Sequence, residues 1–207
     1  MYMHRFPEPT VSTLTRPGQF QVLVDSWEVE CCARPPRLGR PSAWALLFLT
    51  SGNSRIDEIG REVDWHVVRF GDSDVALVNG AVTAYWPANN GPDPALGEAR
   101  LRGYLRGTVH GVAVPDDFPR VSGIVRRIRV VSERWVRRDH EQGPPTSEPV
   151  PGTLTLTEVS TCPRWFAFPQ PPPEDAPDNP LSQTGVLLDL TVDREVTVPD
   201  VRDSDGA

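Results

Sequence analysis

Hydrophobic and polar residues alternate along most of the chain, a period of two that is typical of β-strands with one buried face. The alternation is clear in "VDWHVVRF" (63–70) and "RLRGYLRGTVH" (100–110). A helical period is convincing nowhere, and only 54–62 and 93–100 could form short helices. The pattern therefore predicts strands at 19–31, 42–50, 63–70, 74–84, 100–110, 121–136, 153–168 and 185–198.

Turn-forming residues separate these segments and indicate the fold class. Clusters such as "TSGNS", "NNGPDP" and "VPDDFP" combine Gly, Pro, Asn, Asp and Ser between the predicted strands. Short strands separated by such turns are typical of all-β proteins. We therefore predict an all-β fold, a mostly antiparallel barrel or compact sandwich of about eight strands.

Proline content and charge divide the chain further. Proline cannot lie inside a helix or a central strand, so the 23 prolines mark loops and tails. The predicted parts are an N-terminal arm (1–17), a β domain (18–168), a Pro/acid-rich linker (169–184), a late strand that pairs with the domain (185–198) and an acidic tail (199–207). No membrane-spanning run is present, and the three cysteines favour a reducing compartment, so we expect a cytoplasmic protein.

Charge is the strongest chemical signal. All 21 basic residues are arginine, which excludes enzymes that need a Schiff-base lysine or a P-loop lysine. Residues 100–138 carry ten arginines against three acids, whereas residues 174–207 carry nine acids against two arginines. This asymmetry predicts a basic surface in the middle of the chain and an acidic C-terminal segment.

The basic surface leads to the main functional hypothesis. Consecutive strands usually pair, so the strands at 100–110 and 121–136 are expected to adjoin. One face would then present arginines and aromatic rings: Arg102, Tyr104, Arg106, Arg127, Arg129 and Trp135. Such a surface suits an acidic protein or a nucleic acid, and indicates a non-enzymatic binding protein. Alternatively, the chain's own acidic C-terminal segment covers that face. The oligomeric state is left open.

The adjacent cysteines in "DSWEVECC" (25–32) require their own interpretation. On a strand at 19–31, Trp27 and Cys31 would share the core face, and Cys32 would lie among acids that disfavour its thiolate. Adjacent side chains on a strand point apart, so the pattern predicts no disulfide between them. We expect packing cysteines.

Enzymatic and metal-binding alternatives use the same few residues. Asp64 lies two positions before His66 and could orient it for acid–base catalysis, and His110 is a further catalytic possibility. Cys32, Cys162 and His110 could bind zinc, although the usual C-x₂₋₄-C spacing is missing. We expect no cofactor, with zinc as the alternative. A third alternative is a small-molecule pocket inside the barrel, lined by tryptophans.

Two stretches resemble a known family. "WEVECCARPPRLGRPSAW" (27–44) and "SGIVRRIRVV" (122–131) are similar to an uncharacterised family of actinobacterial proteins, described only as a domain of unknown function. The residues that match are Trp27, Glu30, Cys31, Cys32, Pro35, Gly39 and Trp44. Ala33 and Arg40 depart from the pattern, which has glycine and an acid there. The resemblance spans roughly 20–168 and implies a single β-rich cytosolic domain with no established activity.

Overall fold

The computed structural model describes residues 18–50, 55–110, 114–138, 144–169 and 179–192. The predicted arm (1–17) and acidic tail (199–207) lie outside these ranges. The strands are β1 (Gln19–Asp25), β2 (Pro41–Leu49), β3 (Arg61–Phe70), β4 (Asp74–Asn79), β5 (Val82–Tyr85), β6 (Gly97–Thr108), β7 (Arg120–Arg138), β8 (Thr146–Pro149), β9 (Thr155–Val159) and β10 (Leu181–Thr191). The helices are α1 (Ser26–Cys31), α2 (Arg55–Ile59) and a 3₁₀ turn (Ala88–Asn90).

Eight of these strands close into a mixed β-barrel. Their hydrogen-bonded order is β10-β1-β6-β3-β4-β5-β2-β7, and β7 pairs with β10 to complete the ring. Most neighbours are antiparallel, but β1–β6 and β2–β5 are parallel. Strands β8 and β9 pair with β7 outside the ring. The predicted all-β barrel with little helix is confirmed.

Strand β2 pairs with β6 as well as with β5 and β7. Two strands that are not neighbours in the ring, β2 and β6, are therefore hydrogen-bonded to each other, and the barrel is narrow where they meet. Gly103 permits this close approach. A Cβ added there would lie 2.4 Å from the Leu49 carbonyl oxygen and 2.8 Å from the Phe48 ring. The interior is filled by a core that includes fully buried Trp44 and Trp65. Large apolar side chains therefore fill the barrel interior, and the cavity described below lies on the outer face.

A second apolar cluster lies on the outer face of the barrel, with residues from β1, β2, β4, β6, β7 and β10. Directly paired residues in neighbouring strands project to the same face. Leu23 pairs with Arg106 on one side and Leu187 on the other, and Leu187 also pairs with Arg129. These four residues therefore form one row across the outer face. Helix α2 packs here through Ile59.

Several predicted boundaries are wrong. The strand expected at 19–31 ends at Asp25, and α1 follows it directly. The segment 74–84 forms two strands joined by a turn at Gly80 and Ala81. In 153–168 only Thr155–Val159 is a strand.

The late strand begins earlier than predicted. β10 starts at Leu181, so residues 181–184 belong to it rather than to a linker. It pairs along its length with β1 and β7. The C-terminal part of the chain therefore supplies a wall of the barrel, and residues 170–178 of the expected linker lie outside the described ranges.

Candidate functional site

A cavity of about 300 Å³ opens on the outer face where β1 meets α1. It is bounded by charged residues on the sheet and on α2, and by aromatic rings from four separate segments. Its lining residues are Asp25, Ser26, Trp27, Arg55, Tyr104, Arg106, Trp135, Phe168 and Thr184. The volume is at the lower end of the range for small-molecule sites.

A network of charges forms the cavity floor, in which Asp25, Arg55 and Arg106 line the cavity and buried Glu133 supports Arg55. The Arg55 guanidinium donates from Nε to Glu133 Oε1 at 2.9 Å and from Nη1 to Asp25 Oδ1 at 3.5 Å. Asp25 also pairs with Arg106. The hydroxyl of Thr184 donates to Glu133 Oε1 at 2.7 Å. The two guanidinium groups and the two carboxylates therefore neutralise one another. An unpaired charge at such a buried position would destabilise the fold.

Burial divides this network into fixed and accessible members. The side chain of Glu133 is 2% exposed and that of Arg55 is 11%, whereas that of Arg106 is 36%. Burial alone would lower the pKa of Arg55, but the hydrogen bond and charge of Glu133 raise it above its ordinary value. Arg55 is therefore a permanent cation whose ion pairs with Glu133 and Asp25 stabilise the cavity floor. Arg106, which is more exposed, is the guanidinium at the cavity mouth.

Aromatic rings form the walls. Trp135 and Phe168 contact each other edge to face, with centroids 5.8 Å apart. Trp27 also lines the cavity and is exposed to solvent. The Trp135 Nε1 atom is buried and has no hydrogen-bond partner among the described residues. The walls thus combine flat apolar surfaces with a spare N–H donor.

A second cluster lies at the far end of α1. Cys31 and Cys32 are joined by a disulfide, and the Cys31 Sγ lies 3.4 Å from His110 Nε2. All three residues are exposed, and their ligand-type atoms lie within 4.8 Å of one another. The expectation of two separate packing cysteines is therefore wrong.

The local backbone explains that error. Cys31 ends a helix and Cys32 caps it, so the two side chains are not sent to opposite faces as on a strand. Cys162 instead is the buried thiol, and burial raises its pKa to about 12. The structure thus brings Cys32 and His110 together with Cys31, and places Cys162 in the core.

Several tertiary contacts anchor helix α1. The buried Glu28 carboxylate accepts a hydrogen bond from the Val109 backbone N–H at 3.0 Å, which fixes α1 to the segment that carries His110. Arg164 donates to the Val29 and Ala33 carbonyls at 2.6 and 2.9 Å. These carbonyls lie at a helix end, where no intrahelical partner is available.

Comparison with known protein families matches residues 18–192 to a family of unknown function, DUF6578. The chain belongs to this family. The match reaches Val192 and therefore includes β10, beyond the segment in which the sequence resemblance was noted. No curated protein and no solved structure matches the chain. Among the described helices of this family member, none is long and apolar enough to cross a membrane.

In this DUF6578 chain the arginine-bearing strands are not neighbours. β6 pairs with β1, β2 and β3, and β7 pairs with β2, β8, β9 and β10, so the expected pairing of β6 with β7 is wrong. Nevertheless, Tyr104, Arg106 and Trp135 all line the cavity. These residues come together because only β1 and β10 separate β6 from β7 on this side of the barrel, and the outer face is curved there.

The other predicted arginines meet acids of the same chain. Arg127 pairs with Glu158 at 3.0 Å and lies 3.9 Å from Asp189, and Arg129 also pairs with Asp189. Asp189 belongs to the acidic C-terminal segment, so that segment contributes to the neutralisation of this face. Arg102 is exposed and lies opposite Glu62 in the β3–β6 ladder.

His66 and Asp64 lie on an exposed face of β3. His66 Nδ1 lies 2.9 Å from Glu98 Oε1 on β6, and Asp64 lies 4.0 Å from the Arg100 Nε. The carboxylate that contacts His66 therefore comes from the neighbouring strand, rather than from Asp64. Neither residue lines the cavity.

Sequence reasoning missed Asp25, Arg55 and Glu133 as site residues. One signal was available for α1, since Asp25 and Glu28 have the spacing of a helix N-terminus. A second was the acid within the apolar stretch "VVSERWV", because a carboxylate on a strand that buries its neighbours needs a cation. No local pattern indicates that Arg55 is this cation.

Proposed function

We propose that this protein is a non-enzymatic binding protein whose cavity takes a small anionic molecule with a planar ring. The observation that carries the proposal is the convergence of Arg106, Tyr104 and Trp135 on one cavity, from two strands that are not neighbours. Flat apolar walls with a few placed polar groups are typical of small-molecule sites. A ring would lie against the indoles, and its acidic group would approach Arg106.

The charges of the floor support an anion at the mouth. Arg55 is engaged by Glu133 and Asp25, so it stabilises the protein rather than a ligand. Arg106 has a planar fork of N–H donors, and its side chain is partly exposed. A carboxylate or phosphate bound there would share Arg106 with Asp25.

A small anion fits better than the broader partner suggested by composition. An acidic protein or nucleic acid would need Arg127 and Arg129, and both already pair with Asp189. Binding such a partner would require these ion pairs to open. The acidic protein or nucleic acid stays a prediction, as does the cytoplasmic location, which depends on the low cysteine content.

Titration with three matched probes tests the proposal. Benzoate and phenyl phosphate carry a ring and an anion, whereas benzamide keeps the ring and lacks the charge. We expect saturable binding of at least one anionic probe to the full chain, by calorimetry and tryptophan quenching, and much weaker binding of benzamide. Equal binding of benzamide and benzoate, or no saturable binding of any probe, would contradict the proposal.

Two arginine variants locate the site. Arg106→Gln is expected to weaken anion binding about tenfold or more, because one charge-assisted hydrogen bond is lost. Arg102→Gln is the matched control, since Arg102 lies on the same strand and is exposed outside the cavity. An equal loss of affinity in both variants would indicate a diffuse charge effect and would refute the assignment to the cavity.

A further inference from the structure

We propose that Cys31, Cys32 and His110 form an open zinc site in the reduced protein. This site is distinct from the cavity and does not depend on the proposed function. The two thiols and the imidazole come from α1 and from the segment after β6, and their ligand-type atoms lie within 4.8 Å of one another. Ligands that share one zinc ion lie less than about 4 Å apart, so only small side-chain rotations are needed.

The donor set matches zinc chemistry. Zinc binds cysteine thiolates and histidine nitrogen, and sites with three protein ligands keep a fourth position for water or another molecule. Cys31, Cys32 and His110 are all exposed, which leaves such a position accessible. The His110 Nε2 atom already faces the Cys31 sulfur at 3.4 Å. The arrangement therefore corresponds to a Cys₂His site with one open coordination position.

The adjacency of the cysteines does not prevent chelation. The disulfide shows that both sulfurs can reach the same point in space. Once the disulfide has been reduced, the two sulfurs are free to separate to the distance that two S–Zn bonds require. The hydrogen bond from the Val109 N–H to Glu28 holds the His110 segment against α1, so the three ligands are held together before an ion arrives.

The redox state of Cys31 and Cys32 determines whether this site can bind zinc. In the disulfide form neither sulfur is a thiolate, so zinc has no sulfur ligands. A dithiol reductant supplies two electrons and two protons, which break the Sγ–Sγ bond to give two thiols, and the reductant becomes a disulfide. Zinc binding then displaces both thiol protons to solvent. Oxidation and metal binding therefore compete for the same two sulfurs.

Metal titration of the full chain tests the proposal. The protein is reduced, freed of reductant without oxygen, and titrated with Zn²⁺ against a chromophoric chelator. We expect one equivalent to bind, and we expect Co²⁺ to give a thiolate-to-metal charge-transfer band. Protein oxidised to the disulfide form should bind no metal at these residues. Absence of Zn²⁺ binding by the reduced chain, or equal binding by the oxidised chain, would overturn the proposal.

Variants assign the ligands. Cys32→Ser is expected to weaken Zn²⁺ binding by more than about 100-fold and to abolish the charge-transfer band, and His110→Gln by about tenfold or more. Both positions are exposed, so these changes leave the core intact. His66→Gln is the matched control, because His66 is an exposed histidine that contacts Glu98 and lies outside the Cys31, Cys32 and His110 cluster. Unchanged affinity in Cys32→Ser, or equal loss in His66→Gln, would refute the assignment.

Discussion

The indole of Trp27 stacks against the imidazole of His110, with ring centroids 6.0 Å apart and ring planes at 13° to each other. Trp27 also lines the cavity, and His110 contacts Cys31. One residue of α1 therefore contacts both the cavity and a residue of the proposed zinc site.

This stacking predicts an optical signal for metal binding. Zn²⁺ bound at His110 should change tryptophan fluorescence in the reduced protein, because an indole is sensitive to the charge and position of a ring that it contacts. Trp27→Phe should remove most of that change. Trp165→Phe is the control, since Trp165 is exposed and its ring contacts Arg164 rather than His110. Equal signals in both variants would show that Trp27 does not report the site.

Thiol reactivity should separate the three cysteines. In the reduced native protein, Cys31 and Cys32 are expected to be alkylated quickly because both are exposed. Cys162 is expected to react only after unfolding, because it is 3% exposed and burial raises its pKa to about 12. Mass spectrometry of timed alkylation reactions measures this directly. Modification of all three thiols at one rate would contradict the placement of Cys162.

The buried ion network predicts a large loss of stability for Arg55→Met. Glu133 would remain buried with Thr184 as its neutral partner, and an uncompensated buried charge costs about 3–5 kcal/mol. Urea denaturation measures the free energy of unfolding. Arg102→Met should change it by less than about 0.5 kcal/mol, because Arg102 is exposed. Adding Glu133→Gln to Arg55→Met should recover part of the loss, and no recovery would mean that the pair is not coupled.

Stability at high pH should depend on Tyr85. Desolvation, followed by its hydrogen bond to Asp74, raises the pKa of Tyr85 from 10.0 to about 12. The folded pKa is therefore the higher one, so this contribution is complete below about pH 10 and is lost as the pH rises through about 12. The difference in unfolding free energy between the native protein and Tyr85→Phe should shrink across that window. A constant difference would show that Tyr85 titrates normally.

The position of β10 predicts the effect of truncation. A chain that ends at residue 180 lacks a strand that pairs with both β1 and β7, so we expect it not to fold. A chain that ends at residue 192 keeps all described elements, so we expect it to unfold cooperatively and with the same midpoint as the full chain. Circular dichroism melts distinguish the two. Cooperative melting of the shorter chain would mean that the barrel closes without β10.

Much of the fold was predictable because it depends on local patterns. Alternation in "VDWHVVRF" predicted β3 almost to its ends, since a half-buried strand leaves a period of two in any sequence. Gly103 lies in a strand whose inward positions are apolar, and it permits the close approach of β2 and β6. Helix α1 was missed because it has only six residues, too few for a helical period to be distinguished from alternation.

Which residues share a site was decided by tertiary structure. The sequence by itself determined an all-β domain, the exclusion of lysine chemistry and a short set of arginines, aromatics, cysteines and histidines. Only the closed barrel joined Asp25 to Arg106, Arg55 to Glu133 and Cys31 to His110, because strand order and the approach of α2 are set by long-range pairing. Such contacts join residues that are far apart in the sequence, so the local hydrophobic pattern cannot predict them.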